Sequence, residues 1–137
     1  MTTRSMKRIL FDAHAILVWT QKEAGYHKVK SFLVDCREKS TIGYMNQINL
    51  GEVYYKTIRA VGLDKSRDFL ENFFRLPINL ILPDSELIWR ASELKASHAM
   101  SYADCFAAAT AIRFEATILT GDPEFKKLGK LVSVAWL

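Results

Sequence analysis

The sequence predicts one α/β domain in which a central parallel sheet is covered by helices on both faces. Short apolar runs of strand character recur along the chain, segments with helical 3–4 spacing separate them, and hydrophobic residues make up 50% of the total, enough for a sizeable core.

Arg8-Ile9-Leu10-Phe11 is the first such run. It ends in Asp12 and passes straight into the helical Ala13–Thr20, so a buried strand feeds a helix. Beyond Gly25, the apolar residues Tyr26, Val29, Phe32, Leu33 and Cys36 recur at helical spacing with Lys28, Lys30 and Arg37 between them, the pattern of an amphipathic helix. Thr41–Met45 is short and β-prone. Leu50, Val53, Tyr54, Ile58 and Val61 then keep 3–4 spacing up to a stop at Gly62, and another helix occupies Asp64–Arg75. Ile78–Leu82, between Pro77 and Pro83, reads as a strand, and Asp84–Ser97 as a helix capped by Asp84. Ser101–Phe114 is rich in alanine and has Asp104 as its only charge before Arg113, which predicts a deeply buried helix. Ala116–Leu119 is a strand entering Thr120-Gly121-Asp122; a short helix Pro123–Leu128 and a last strand Leu131–Ala135 complete the chain.

The 137 residues are one domain's worth of chain, with no fixed-period repeat or low-complexity tract. The working unit is therefore residues 1–137, of which 1–5 read as a loose N-terminal tail. The longest run without a charge, Ser40–Gly51, is 12 residues and partly polar. That is well short of the roughly 18 apolar residues of a membrane span. No long apolar stretch follows Arg4, so the N-terminus reads as neither a signal nor a transit peptide. Cys36 and Cys105 stand far apart without ligand-like spacing, which points to a reduced, cytoplasmic protein.

Four carboxylates stand out for their apolar company. Asp12 and Asp122 follow strands, Glu52 lies in the first turns of a helix, and Asp104 lies in the first turn of the alanine-rich helix. Each has an ordinary explanation: Asp12 and Asp122 as N-caps, the latter with Pro123 behind it; Ser101 and Asp104 as a capping box; Glu52 as a solvated position. In open α/β sheets, however, ligands bind outside the carboxyl ends of the strands, where both strand-end aspartates fall. Four carboxylates gathered there would repel one another and hold their protons tightly unless a cation sat among them. Oxygen ligands without His or Cys at metal spacing select Mg²⁺ or Mn²⁺ over zinc. Such a site suits phosphodiester hydrolysis, because the ion activates water and neutralises phosphoryl charge.

The segments Ile9–Leu17, Asn49–Tyr55, Ser101–Ala111 and Thr120–Phe125 resemble, in order and spacing, the four acidic motifs of PIN domains, particularly the compact VapC-type toxin ribonucleases. The resemblance spans Lys7 to Ala135. It implies a PIN-like three-layer α/β/α sandwich and a metal-dependent endoribonuclease, normally a homodimer held in check by a cognate antitoxin. On this resemblance Asp12, Glu52, Asp104 and Asp122 are the metal-binding and catalytic carboxylates. Thr120 matches the hydroxyl residue two before the last aspartate and would orient a ligand, with Asn49 and Ser101 in supporting positions. His14 departs from the pattern, since many members carry Ser or Asn two residues after the first aspartate.

Two rivals compete with an RNA-cleaving toxin: a non-catalytic PIN-like module that binds RNA or protein, and a metal-dependent DNA nuclease. The presence of all four acids argues against the first, because a module that only binds phosphate gains nothing from negative charge at the contact. The three histidines are not spaced as a metal pair; His14 lies close to the candidate site, where it could contact substrate, but an ordinary helix position is the first reading. Trp19, Tyr44, Tyr54, Tyr55 and Trp89 are available for base stacking, though helical spacing places most of them in the core. Lys126, Lys127 and Lys130 follow Asp122 as phosphate contacts or as a solvated face. No P-loop or G-x-G-x-x-G is present. The net charge is +4, and setting aside the four site acids leaves 19 basic residues against 11 acidic ones, a net +8. That pairing of a negative pocket with a basic remainder suits a partner that is itself a polyanion.

Overall fold

The computed structural model describes residues 6–137; the expected tail at 1–5 lies outside them. Its elements run β1 (Lys7–Phe11), α1 (Ala13–Gln21), α2 (Tyr26–Arg37), β2 (Thr41–Asn46), α3 (Gln47–Val61), α4 (Leu63–Phe73), β3 (Ile78–Ile81), α5 (Ser85–Ser97), α6 (Tyr102–Phe114), β4 (Thr117–Thr120), a 3₁₀ segment (Pro123–Leu131) and β5 (Ser133–Trp136). The strands form one sheet in the order β3-β2-β1-β4-β5, and every adjacent pair is parallel.

Alternation along each strand divides the core into two layers. Ile9, Phe11, Met45 and Leu119 face α1 to α4, while Leu10, Tyr44 and Ile118 face α5 and α6. Helices therefore cover both faces, giving the expected three-layer α/β/α sandwich with a central parallel sheet. Each fully buried side chain such as Leu10 or Ile118 contributes roughly 1.5–3 kcal/mol. α6 is buried from Cys105 to Ala111 because its methyl side chains let its backbone lie close to the sheet. At Gly43 of β2 an added Cβ would stand 3.0 Å from Cys36 Sγ and 3.1 Å from the Phe11 ring, so α2 packs where only hydrogen fits.

Several boundaries differ from expectation. The helix expected from Leu50 begins at Gln47, since Asn46 caps it by accepting from Ile48 N at 2.8 Å. β4 starts at Thr117 and includes Thr120, which pairs in register with Trp136. The short helix expected to end at Leu128 continues as 3₁₀ turns to Leu131 across a kink at Gly129, whose φ of 53° favours glycine, and β5 starts correspondingly late.

The crossovers from β1 to β2 to β3 move one way across the sheet, and the return to β4 moves the other. Strand order thus reverses between β1 and β4, which places the topological switch point at Phe11–Asp12 and Thr120–Asp122.

Candidate active site

Asp12 leaves β1 and caps α1. Its Oδ1 accepts from Ala15 N at 2.8 Å, and its Oδ2 accepts from the Thr120 hydroxyl at the end of β4. Thr120 Oγ1 in turn accepts from Asp122 N at 3.0 Å, which leaves the hydroxyl proton directed at Asp12. Asp122 caps the 3₁₀ segment, accepting from Glu124 N at 3.0 Å. One hydroxyl therefore ties together both strand-end aspartates.

The other two acids arrive on helices. Asp104 sits in the first turn of α6, where Ser101 is the N-cap and accepts from Asp104 N at 3.1 Å. Glu52 lies in the second turn of α3, half-buried, with Oε2 2.9 Å from Lys56 Nζ. Two buried amides fasten α3 to α6. Asn46 Nδ2 donates to Thr110 Oγ1 at 3.0 Å, and Asn49 Nδ2 donates to Ala103 O at 2.9 Å, one residue before Asp104. Asn49 Oδ1 is buried without a hydrogen-bond partner.

The electrostatics match this convergence. Asp12 is 2% exposed, and burial pushes its carboxyl up to about 7; the hydrogen bonds from Thr120 and Ala15 pull the other way, and Asp104 and Asp122 add to the rise. Asp104 is pushed up to about 6, first by burial, then by Asp122 and Glu52, with Ser101 opposing. The Lys56 ammonium is held above the ordinary lysine range, chiefly by Glu52 and in smaller part by Asp104. Asp12, Asp104, Asp122 and Glu52 therefore sense one another across one edge of the sheet.

This donor set fits a hard divalent cation. Its members are carboxylates whose mutual repulsion a positive ion would relieve. The coordination sphere is not preformed: among the described residues no three His, Cys, Asp or Glu side chains are drawn together closely enough to share an ion. A cleft of about 610 Å³ opens elsewhere, between the C-terminal parts of α1 and α3 and along α4, lined by Trp19, Tyr26, Val61, Phe69 and Phe73. None of the four acids lines it.

The capping roles read for Asp12, Asp122 and Ser101 also hold, whereas Glu52, read as a solvated position, is half-buried and paired with Lys56. The reading of His14 changes. Its ring is exposed, yet Nδ1 accepts from Gly121 N at 3.1 Å, and a Cβ on residue 121 would come within 2.5 Å of its Cε1. His14 therefore spans the gap between α1 and the loop after β4. The glycine between Thr120 and Asp122 was the available signal. Lys56 and the Asn46–Thr110 link were also missed, because nothing local marks them. Of the aromatic residues, Tyr44 is buried against Phe114 at 4.5 Å and Trp19 and Tyr54 are half-buried, but Tyr55 and Trp89 are exposed. Lys127 pairs with Glu124 and donates to Ala99 O at 2.7 Å.

Among the described residues no helix is long and apolar enough to cross a membrane. Comparison with curated proteins returned no match. The fold is shared with solved structures. VapBC2 from Rickettsia felis, bound to a DNA fragment from the promoter, is 16% identical with a TM-score of 0.73 over 95% of this chain and 98% of that one. VapC20 from Mycobacterium tuberculosis, a sarcin-ricin loop cleaving toxin, is 16% identical with a TM-score of 0.73 over 88% and 95%. FitAcB from Neisseria gonorrhoeae is 17% identical with a TM-score of 0.67 over 92% and 95%. The PIN domain family model matches residues 9–131, nearly the whole chain and all four acids, and the chain belongs to the PIN domain family.

Proposed function

We propose that the protein is a metal-dependent endoribonuclease, the toxin of a type II toxin–antitoxin pair, built as a single PIN domain. The observation that carries this reading is the shared field of Asp12, Glu52, Asp104 and Asp122 at the switch point, where burial and like charge raise the proton affinity of Asp12 and Asp104.

Asp12, Glu52, Asp104 and Asp122 would hold Mg²⁺ or Mn²⁺. When bound, the ion supplies Lewis-acid activation of water and neutralises charge on the phosphoryl group. Thr120 fixes the Asp12 carboxylate by donating to Oδ2 while Ala15 N holds Oδ1, so Asp12 presents its remaining lone pairs in one orientation. Asn49 and Ser101 support the turn of α6 that carries Asp104. The chain's basic excess outside the four acids favours approach of an RNA strand.

The solved relatives include toxin–antitoxin complexes, which supports a cognate antitoxin as partner. A homodimer follows from the family resemblance. The two buried free thiols fit the reducing cytoplasm.

Asp104→Asn tests the reading, since Asn retains the size of the side chain at the head of α6. Cleavage of labelled RNA in Mn²⁺ should fall by more than the roughly 10–100-fold that loss of an outer-sphere partner costs. Full metal-dependent activity in a folded Asp104→Asn protein would remove that residue from the site. Matched RNA and DNA strands in the same assay separate a ribonuclease from a DNA nuclease, and calorimetry with no Mn²⁺ uptake would favour a module that only binds.

A further inference from the structure

α3 carries Glu52 into the acidic edge, and Tyr55, Lys56 and Arg59 follow it at the i+3, i+4 and i+7 positions of the same helical face. All three are exposed. Lys56 Nζ lies 2.9 Å from Glu52 Oε2, and Arg59 lays its guanidinium over the Tyr55 ring at 4.8 Å. An aromatic surface flanked by two cations, continuous with the carboxylates, complements a single-stranded polyanion. Three other cations are engaged elsewhere. Lys127 holds Glu124 and the Ala99 carbonyl, Lys126 lies 5.5 Å above the Trp136 ring, and Arg113 is bidentate on Asp84.

An ammonium and a divalent cation at the same Glu52 carboxylate repel each other. Lys56 is the partner free to move, because its side chain is 45% exposed against 20% for Glu52, and an exposed i, i+4 pair is weak. We propose that Lys56 is a substrate-binding residue gated by the divalent ion: the ion takes Glu52, and the displaced ammonium turns to a backbone phosphate of an RNA strand running along Tyr55 and Arg59. The inference rests on the reading of the four acids as a divalent-metal site. It adds a residue that binds substrate and a reason for binding to wait on the metal.

Lys56→Gln and Lys56→Arg test it through two quantities. Mn²⁺ affinity is measured by calorimetry on the chelator-treated protein, without RNA. KM for a labelled single-stranded RNA is measured at saturating Mn²⁺ over a range of salt. Lys56→Gln should bind Mn²⁺ about two- to fivefold more tightly, the range an exposed ion pair allows. The same variant should flatten the slope of log KM against log salt by about 0.7, the loss of one phosphate contact on a single strand. Lys56→Arg should restore the slope, which a merely structural role would not require. With a wild-type protein that binds Mn²⁺ and cleaves RNA, either quantity unchanged in Lys56→Gln overturns the gating. A wild-type protein that takes up no Mn²⁺ overturns the metal site itself, and the gating with it.

Discussion

Asp12 at the head of α1 and Asp84 at the head of α5 make the same backbone contact, each carboxylate accepting from the N–H three residues on, at 2.8 and 2.9 Å. Their proton affinities nevertheless move in opposite directions. Asp84 is exposed, and Arg113 grips it through both oxygens at 2.8 and 2.9 Å, holding its carboxyl down to about 2. Asp12 is buried among other acids and is pushed up to about 7. A helix cap is thus common to a purely structural aspartate and to one proposed for catalysis. What separates them is burial beside like charges, which disfavours the ionised Asp12 carboxylate and which a bound cation would relieve.

The sharpest way to break this contrast is to neutralise both residues. Asp12→Asn should abolish metal-dependent cleavage while Asp84→Asn leaves kcat unchanged, as measured on labelled RNA in Mn²⁺; equal activity in the two variants would end the distinction. Next in size is Thr120→Val, which removes the hydroxyl that orients Asp12. Mn²⁺ affinity should weaken roughly 10–100-fold, with Thr120→Ser close to wild type, by calorimetry.

The pH dependence of stability should carry both signs. Across the window from 3.8 to about 7 the folded chain keeps the Asp12 proton that the unfolded chain has lost, so stability falls as pH rises through that window. Asp104 acts in the same sense up to about 6. At Asp84 the unfolded chain binds the proton first, so its contribution is present above 3.8 and is lost as pH falls toward about 2. In denaturant titrations with chelator, Asp12→Asn should raise stability at neutral pH by on the order of 2–4 kcal/mol and flatten the neutral-side fall. Asp84→Asn should flatten only the acid limb, the smallest effect of the set. An Asp12→Asn protein whose stability profile matches wild type on the neutral side would contradict the burial argument.

The centre of the sheet was legible because its strands are buried on both faces and therefore read as unbroken apolar runs, as in Ile9-Leu10-Phe11 and Ile118-Leu119. Their ends were less so. Thr120 looks like a loop residue in sequence, and only its pairing with Trp136 makes it strand. The end of the 3₁₀ segment depends on the backbone turn at Gly129, which composition does not reveal. At the candidate site the four acids announced themselves by position relative to strands and helix starts. The groups that hold them did not, because Asn46 reaches Thr110 across 64 residues and His14 reaches Gly121 across 107. Such contacts follow from which elements lie side by side, and that is set only when the sheet order reverses between β1 and β4.

The seat of His14 on Gly121 has an evolutionary consequence. Since a Cβ at position 121 would occupy the space of the imidazole edge, the two positions behave as one locus. A relative that acquires any side chain at 121 must swing the histidine out and forfeit its hydrogen bond, or replace it with a smaller residue. Position 14 and position 121 should therefore covary across homologues, with histidine at the first found in company with glycine at the second.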